Sequence, residues 1–257
     1  MLRLTSPQNE KLKWLGQLHK ASVRRRLGLF LVEGQKEINF ALQAGYRPHS
    51  FYSWGTVTSQ KLPSQAPLYD LSRAAYEKVT YRTSQVNNLL GVFYDPKLKL
   101  ADLKLGPQPF LIVVETIEKP GNLGAIIRTA DGAAADAVIV GNEYIDIYNP
   151  NVIRSSVGCI FIKPVVSASN QAVLNFLKSN NIQVYGAALV PESKNYLEAD
   201  FKKPSALILG SEASGLSSFW LKNSQPIVIP MKGKNDSLNV SSAAAVLAYE
   251  VQRQRHD

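Results

Sequence analysis

Apolar residues recur along this chain in two different rhythms. In the first hundred residues they come in short groups of mixed period. Leu12, Leu15 and Leu18 fall at helical spacing, which predicts a helix over residues 9–19 that starts near Ser6 and Pro7. Residues 20–26 are expected to form a basic turn centred on Arg24, Arg25 and Arg26. Phe30-Leu31-Val32 predicts a strand, and residues 34–44 a helix closed by Gly45. Residues 51–53, 68–70 and 91–94 predict further short strands, with a helix near residues 72–79. This is a small α/β unit of alternating elements.

From Phe110 the alternation becomes regular. Strands are predicted at 110–114, 137–140, 182–187, Ser205–Leu209 and 226–229, and helices at 123–134, 171–179 and 240–254. Such an order implies a mostly parallel sheet covered on both faces, with ligands bound at the carboxyl ends of its strands. Between the two rhythms, Asp95-Pro96-Lys97 and Gly106-Pro107-Gln108-Pro109 bracket a linker. The expected organisation is a first domain at 1–96, a linker at 97–109 and a second domain at 110–257.

Charge sharpens this division. Residues 1–104 hold 16 Lys and Arg against 7 Asp and Glu, whereas residues 105–257 hold 13 of each. The whole net charge of +9 therefore lies in the first part of the chain. That asymmetry suggests a polyanion-binding module joined to a neutral one, and nucleic acid is the natural partner. A single cysteine, Cys159, excludes an internal disulfide framework, and three scattered histidines offer no metal-ligand spacing. No apolar run is long enough to span a bilayer, and the first residues lack the apolar core of a signal peptide. A reducing, cytoplasmic compartment is expected.

Three segments of the second domain could carry chemistry. In the first, a strand ends in Glu115-Thr116-Ile117-Glu118-Lys119-Pro120-Gly121 and enters a helix near Asn122, with Arg128 six residues further on. Six helical residues turn the chain by about 600°, so Arg128 need not share a face with the first turn, though its long side chain reaches the strand ends. A capped helix carrying a surface arginine would give the same pattern. The second, Gly210-Ser211-Glu212-Ala213-Ser214-Gly215, has the glycine spacing of a P-loop. Leu216 and Ser217 follow, so the essential lysine ammonium is missing, and Glu212 would repel phosphate, so a nucleotidase is excluded. Pro120-Gly121-Asn122-Leu123-Gly124 also lacks the glycine spacing of a dinucleotide fold or a conventional Rossmann methyltransferase. The third segment joins Ile229-Pro230-Met231 to Ser237-Leu238-Asn239-Val240-Ser241, where Ser237 or Asn239 could cap the following helix.

In order and spacing, these segments resemble the three motifs of the SpoU/TrmH family of RNA ribose 2′-O-methyltransferases, part of the SPOUT superfamily. The matching stretches are Asn122 to Ala130, Gly210 to Leu216, and Ile229-Pro230-Met231 with Ser237 to Ser241, supported by Val152-Ile153-Arg154-Ser155-Ser156-Val157-Gly158. The resemblance spans residues 108–254. The first hundred residues resemble the L30e-like α/β/α substrate-binding domain that often precedes it, through Thr5-Ser6-Pro7-Gln8-Asn9 and Leu29 to Gly34. Lys119 and Ser242 depart from the commoner family pattern without removing a residue that has a role.

The resemblance implies a second domain with a deep trefoil knot, an exception to the rule against threaded connections. It implies S-adenosyl-L-methionine as cofactor, a homodimer, and structured RNA as substrate, with 23S ribosomal RNA favoured. It gives Asn122, Arg128, Glu212, Ser237 and Asn239 to catalysis, and Gly210, Ile229, Met231 and Leu238 to the cofactor. The same enzyme class acting on tRNA, and a non-catalytic RNA-binding or ribosome-assembly protein, are the alternatives. RNA contacts are expected from Arg24, Arg25, Arg26 and Arg154. Trp14, on a helix with Leu15 and Leu18, is assigned to the core rather than to a stacking platform.

Overall fold

The computed structural model describes residues 2–4, 6, 8–55, 62–80, 88–142 and 145–256; Thr5 and Pro7 of the first motif lie outside them. In chain order the elements begin with β1 (Leu2–Leu4), α1 (Glu10–Gln17), α2 (Ala21–Leu27), β2 (Leu29–Glu33) and α3 (Gln35–Gln43). Next come β3 (Pro48–Ser53), β4 (Leu68–Leu71), α4 (Arg73–Val79), β5 (Leu89–Tyr94), β6 (Phe110–Glu115), α5 (Pro120–Gly132) and β7 (Ala137–Gly141). They continue with α6 (Pro150–Ser155), α7 (Cys159–Ile162), β8 (Val165–Ala168), α8 (Asn170–Ser179), β9 (Gln183–Ala187) and β10 (Lys194–Asn195). The last are β11 (Ser205–Leu209), α9 (Ser218–Asn223), β12 (Gln225–Val228) and α10 (Val240–His256).

The chain forms two compact units, Met1–Pro96 with Tyr148–Ile162, and Lys97–Ile147 with Lys163–Asp257. The first is built on a mixed sheet in the order β1-β4-β3-β5-β2. One face of it holds a core of Leu12, Leu15, Leu18, Leu31, Tyr52, Tyr69 and Val92. Asn9 starts α1, its side chain accepting from the Lys11 amide at 2.9 Å, in place of the start expected near Ser6. Residues 20–26 are not a turn. They lie largely in α2, which three arginines favour by propensity and which Gly28 closes at φ +62°. Residues 148–162 fall in this unit although they lie within the segment expected to form the second domain. The reason is aromatic packing: Tyr148 stacks on Phe30 at 4.1 Å and 10°, and Phe161 stacks on the same ring at 6.1 Å.

The second unit is built on a sheet of seven strands in the order β10-β12-β9-β11-β6-β7-β8. Every pairing in it is parallel. All six residues of β6 are buried, as a strand covered on both faces requires. Leu111 and Val113 point to one face, where α8 and Trp220 of α9 complete the core. Ile112 and Val114 point to the other, and α5 packs against α10. Val114 is in register with Leu209 of β11 and Val140 of β7, so these strands end level with one another. Arg255 anchors the last turn of α10 to the opposite ends of the strands. Its guanidinium donates to the carbonyls of Gln108 at 2.7 Å, Phe201 at 2.9 Å and Lys203 at 2.9 Å. The helix therefore begins toward the carboxyl ends of the sheet, where the sequence motifs lie.

Candidate active site

The loop after β11 is rigid at its base and open at its crest. The Ser211 amide donates to the Gly215 carbonyl at 3.1 Å, and the Gly215 amide returns a bond to Ser211 at 3.0 Å. Ser214 adds an amide bond to the Ser211 hydroxyl at 3.1 Å. The backbone crosses so closely that a Cβ at Gly210 would lie 2.1 Å from the Gly215 carbonyl carbon, so only glycine fits there. Glu212 stands exposed at the crest and accepts a hydrogen bond from the Asn122 side-chain amide in the first turn of α5. That bond joins two motifs separated by 90 residues of sequence.

Arg128 lies further along α5, exposed, and its guanidinium has no hydrogen bond or ion pair among the described residues. All of its donors remain open to an oxyanion. Asn239 caps α10, its side-chain oxygen accepting from the Ser241 amide at 3.0 Å and the Ser241 hydroxyl at 2.7 Å. Ser237 is exposed and donates to Asp236 at 3.2 Å. Among the described residues, no hydrogen bond ties Arg128, Ser237 or Asn239 to the Asn122–Glu212 pair.

Sequence reasoning missed Glu115, the last residue of β6 and only 2% exposed. It accepts from the Ser217 amide at 2.9 Å, from the Ser217 hydroxyl at 2.7 Å and from the Asn170 side-chain amide. It thereby locks the far side of the Gly210 loop and the start of α8 to the end of β6. The available signal was an acidic residue closing an otherwise apolar strand, which demands buried partners. Arg24 requires a correction. It is only 4% exposed, and its Nη1 donates to the Leu18 carbonyl at 2.6 Å, so it ties α2 to the end of α1 instead of offering its charge to RNA. Arg25, Arg26 and Arg154 are exposed, all three in the N-terminal unit.

Residues 230–238 contribute no main-chain to main-chain hydrogen bond among the described residues, which leaves their donors and acceptors available. Ile229 and Met231 are half-buried beside them, and Leu238 is exposed. Free main-chain groups, apolar cover and the exposed carboxylates of Glu212 and Asp236 are a donor set that suits an adenosyl group bearing a sulfonium.

The model of the SpoU rRNA methylase family matches residues 109–249 of this chain. The chain belongs to that family. An MRM3-like substrate binding domain matches residues 9–87. The chain is 32% identical over 253 residues to the 23S rRNA (guanosine(2553)-2′-O)-methyltransferase RlmP of Bacillus subtilis (strain 168), a match covering 98% of this chain and 99% of the relative. It is 29% identical to a 23S rRNA (uridine(2479)-2′-O)-methyltransferase of Streptomyces viridochromogenes, over 98% and 92% of the two chains. Among solved structures it resembles an RNA 2′-O ribose methyltransferase, with a TM-score of 0.84, 35% identity and 100% of both chains covered. The SpoU methyltransferase AviRb of Streptomyces viridochromogenes, in complex with AdoMet, superposes with a TM-score of 0.89 at 25% identity, covering 97% of this chain and 99% of that one. As a SpoU family member with the SPOUT fold, the chain is an S-adenosylmethionine-dependent rRNA ribose 2′-O-methyltransferase.

Proposed function

We propose that the Asn122–Glu212 junction and Arg128 form the methyl-transfer site for a ribose 2′-hydroxyl of large-subunit ribosomal RNA. The observation that carries this is the hydrogen bond from Asn122 to Glu212, which fixes one motif against another where parallel strands end level. The cofactor would supply a methyl group on a sulfonium. The ribose oxygen bonds to that carbon as the carbon–sulfur bond breaks in line, the thioether leaves, and the hydroxyl proton passes to a substrate phosphate or water. The chain must then hold a ribose oxygen in line and accommodate the negative charge that grows on it. A guanidinium keeps its proton until about pH 12 or above, so Arg128 serves as a binder of substrate phosphate and of the developing alkoxide, not as the base. Asn122 and Glu212 set the position of the ribose, with Ser237 and Asn239 completing the polar wall. Gly210, Ile229, Met231 and Leu238 hold the cofactor through main-chain groups and apolar cover.

Residues 1–96 are an RNA platform that uses Arg25 and Arg26, with Arg154 added by the segment 148–162 of the same unit, and residues 97–109 are the linker. The Gly210 loop and residues 229–239 belong to a deep trefoil knot; β12 is separated from β11 by β9, while α10 returns to pack on β11 and α5. Two copies pair through α10, whose Val246 and Tyr249 present apolar surface 36% and 57% exposed at a helical spacing of three. The compartment is the cytoplasm, where such RNA is made.

The deciding experiment maps 2′-O-methylation of ribosomal RNA and tRNA with and without the protein. One new site in large-subunit RNA is expected. Arg128→Ala should lower methylation by at least about a hundredfold, the cost of removing one oxyanion donor, with cofactor affinity unchanged by calorimetry. Methylation confined to tRNA, or full activity in Arg128→Ala, would overturn the assignment.

A further inference from the structure

A cavity of about 910 Å³ opens within the N-terminal unit, lined by residues of that unit alone. Its size is within the range that holds small ligands, and its lining is aromatic. Trp14 of α1 lies 5.5 Å from His49 of β3, and His49 lies 5.6 Å from Tyr94 of β5, so three rings follow one another. Tyr52 and Tyr69 form a stacked pair at 5.1 Å and 21°, both buried. An aliphatic core would close over such a hollow. Here the surrounding cations are exposed instead: the Lys11 ammonium donates to the Tyr69 hydroxyl at 2.6 Å, 4.1 Å from the ring centre, and the Arg47 guanidinium lies 3.7 Å from the centre of the Tyr94 ring.

Two details fit a neutral, flat and hydrogen-bonding guest on an anionic chain. Burial pushes the Tyr52 hydroxyl up to about 12, so it keeps its proton and brings no negative charge. Burial first, and then the Lys11 charge, holds His49 below its ordinary value and favours the neutral imidazole at physiological pH. Glu10 is the one carboxylate in the lining, set against Lys11 and the nearby Arg47. It lies in the first turn of α1, where the helix dipole offsets its charge. Trp14, assigned to the core from sequence, is only half-buried; it packs on the apolar cluster and also faces the opening.

We propose that this cavity is a stacking slot for an unpaired base of the RNA substrate, seated against Trp14, His49 and Tyr94, with Lys11 and Arg47 on the flanking phosphates. The inference rests on the reading of the chain as an rRNA methyltransferase and names how its first unit takes hold of RNA. Stacking on aromatic side chains is how proteins commonly grip single-stranded RNA, and it tolerates any base.

The test measures binding of the full-length protein to octaadenylate and to an abasic ribose-phosphate octamer, which carries the same phosphates and no bases. Wild-type protein should prefer octaadenylate by at least about tenfold, the worth of one stacked base. Tyr94→Ala and His49→Ala should lose that preference, whereas Lys11→Ala should weaken both probes alike. His49→Ala alters a half-exposed side chain and keeps the test open if Tyr94→Ala fails to fold. Equal binding of the two probes by wild type, binding of neither, or a preference that survives in His49→Ala would overturn the slot. Protein that shows the preference but methylates no ribosomal RNA would overturn the function and leave the slot. Protein that methylates ribosomal RNA without the preference would do the reverse.

Discussion

The neighbouring strands β6 and β11 each lead into a glutamate at the carboxyl edge of the sheet, and the two are built in opposite ways. Glu115 is buried and receives three hydrogen bonds from two other elements. Glu212 stands exposed on a loop crest with one partner, Asn122. A carboxyl group surrounded by its own protein has no capacity left for a substrate, but it fixes everything that touches it. One with a single partner and open water beside it can exchange that water for a ribose. The scaffold and the working surface of this site are therefore separate residues, although both are acidic, one closing a strand and the other standing in the loop that follows its neighbour.

The largest expected effect separates the two by stability. Glu115→Ala strands the buried Asn170 amide and frees both donors of the exposed Ser217 to water, which should cost about 2 kcal/mol. Glu212→Ala should cost less than about 0.5 kcal/mol, the ordinary range for a surface change. Urea unfolding of the two variants checks this, and equal losses would show that Glu115 is no more structural than Glu212.

The next effect is on rate. Glu212→Ala should slow methylation by about tenfold or more, corresponding to one hydrogen bond lost at the site. Asn122→Ala should do the same, and the double variant should be little slower than either single one, because both remove the same contact. Fully multiplicative losses in single-turnover kinetics would show that the two residues act independently.

The smallest effect concerns a third acid, Glu250 of α10. Hydrogen bonds from Arg253 hold its carboxyl below the ordinary value of 4.5, with Gln254 adding a further bond. A depressed carboxyl contributes stability above its unfolded value and loses it as the pH falls through the folded one. Glu250→Gln should therefore be less stable than wild type near neutral pH, and the gap should close below about pH 4.5 in thermal unfolding. A gap that stays constant with pH would assign the loss to packing alone.

Much of this was legible in the sequence where burial is two-sided and continuous. The strand at Phe110–Glu115 and the helix at Val240–His256 announce themselves by unbroken or regularly spaced apolar residues. The strand Val165–Ala168 does not, because only Val165 and Val166 in it are buried. Helices of six residues or fewer, such as Pro150–Ser155, are too short to show a period. Arg24 shows the limit of charge reading: three adjacent arginines look alike in sequence, yet a helix turns one of them inward to a carbonyl. At the site, Asn122 and Glu212 could be named from their motifs, but their hydrogen bond depends on strand register that no local pattern encodes. Glu115 carried no motif, and its partners Asn170 and Ser217 lie 55 and 102 residues away.

Arg255 adds a dimension of time. Its bond to Gln108 spans 147 residues, and the N-terminal unit in turn draws on residues as late as 162. Neither unit is a contiguous stretch, so a chain emerging from a ribosome cannot finish one before starting the other. Closing such long loops is slow, and contacts of this separation set the pace of folding. For an enzyme that modifies ribosomal RNA, the anchored turn of α10 can dock only after the strands it ties together have been made.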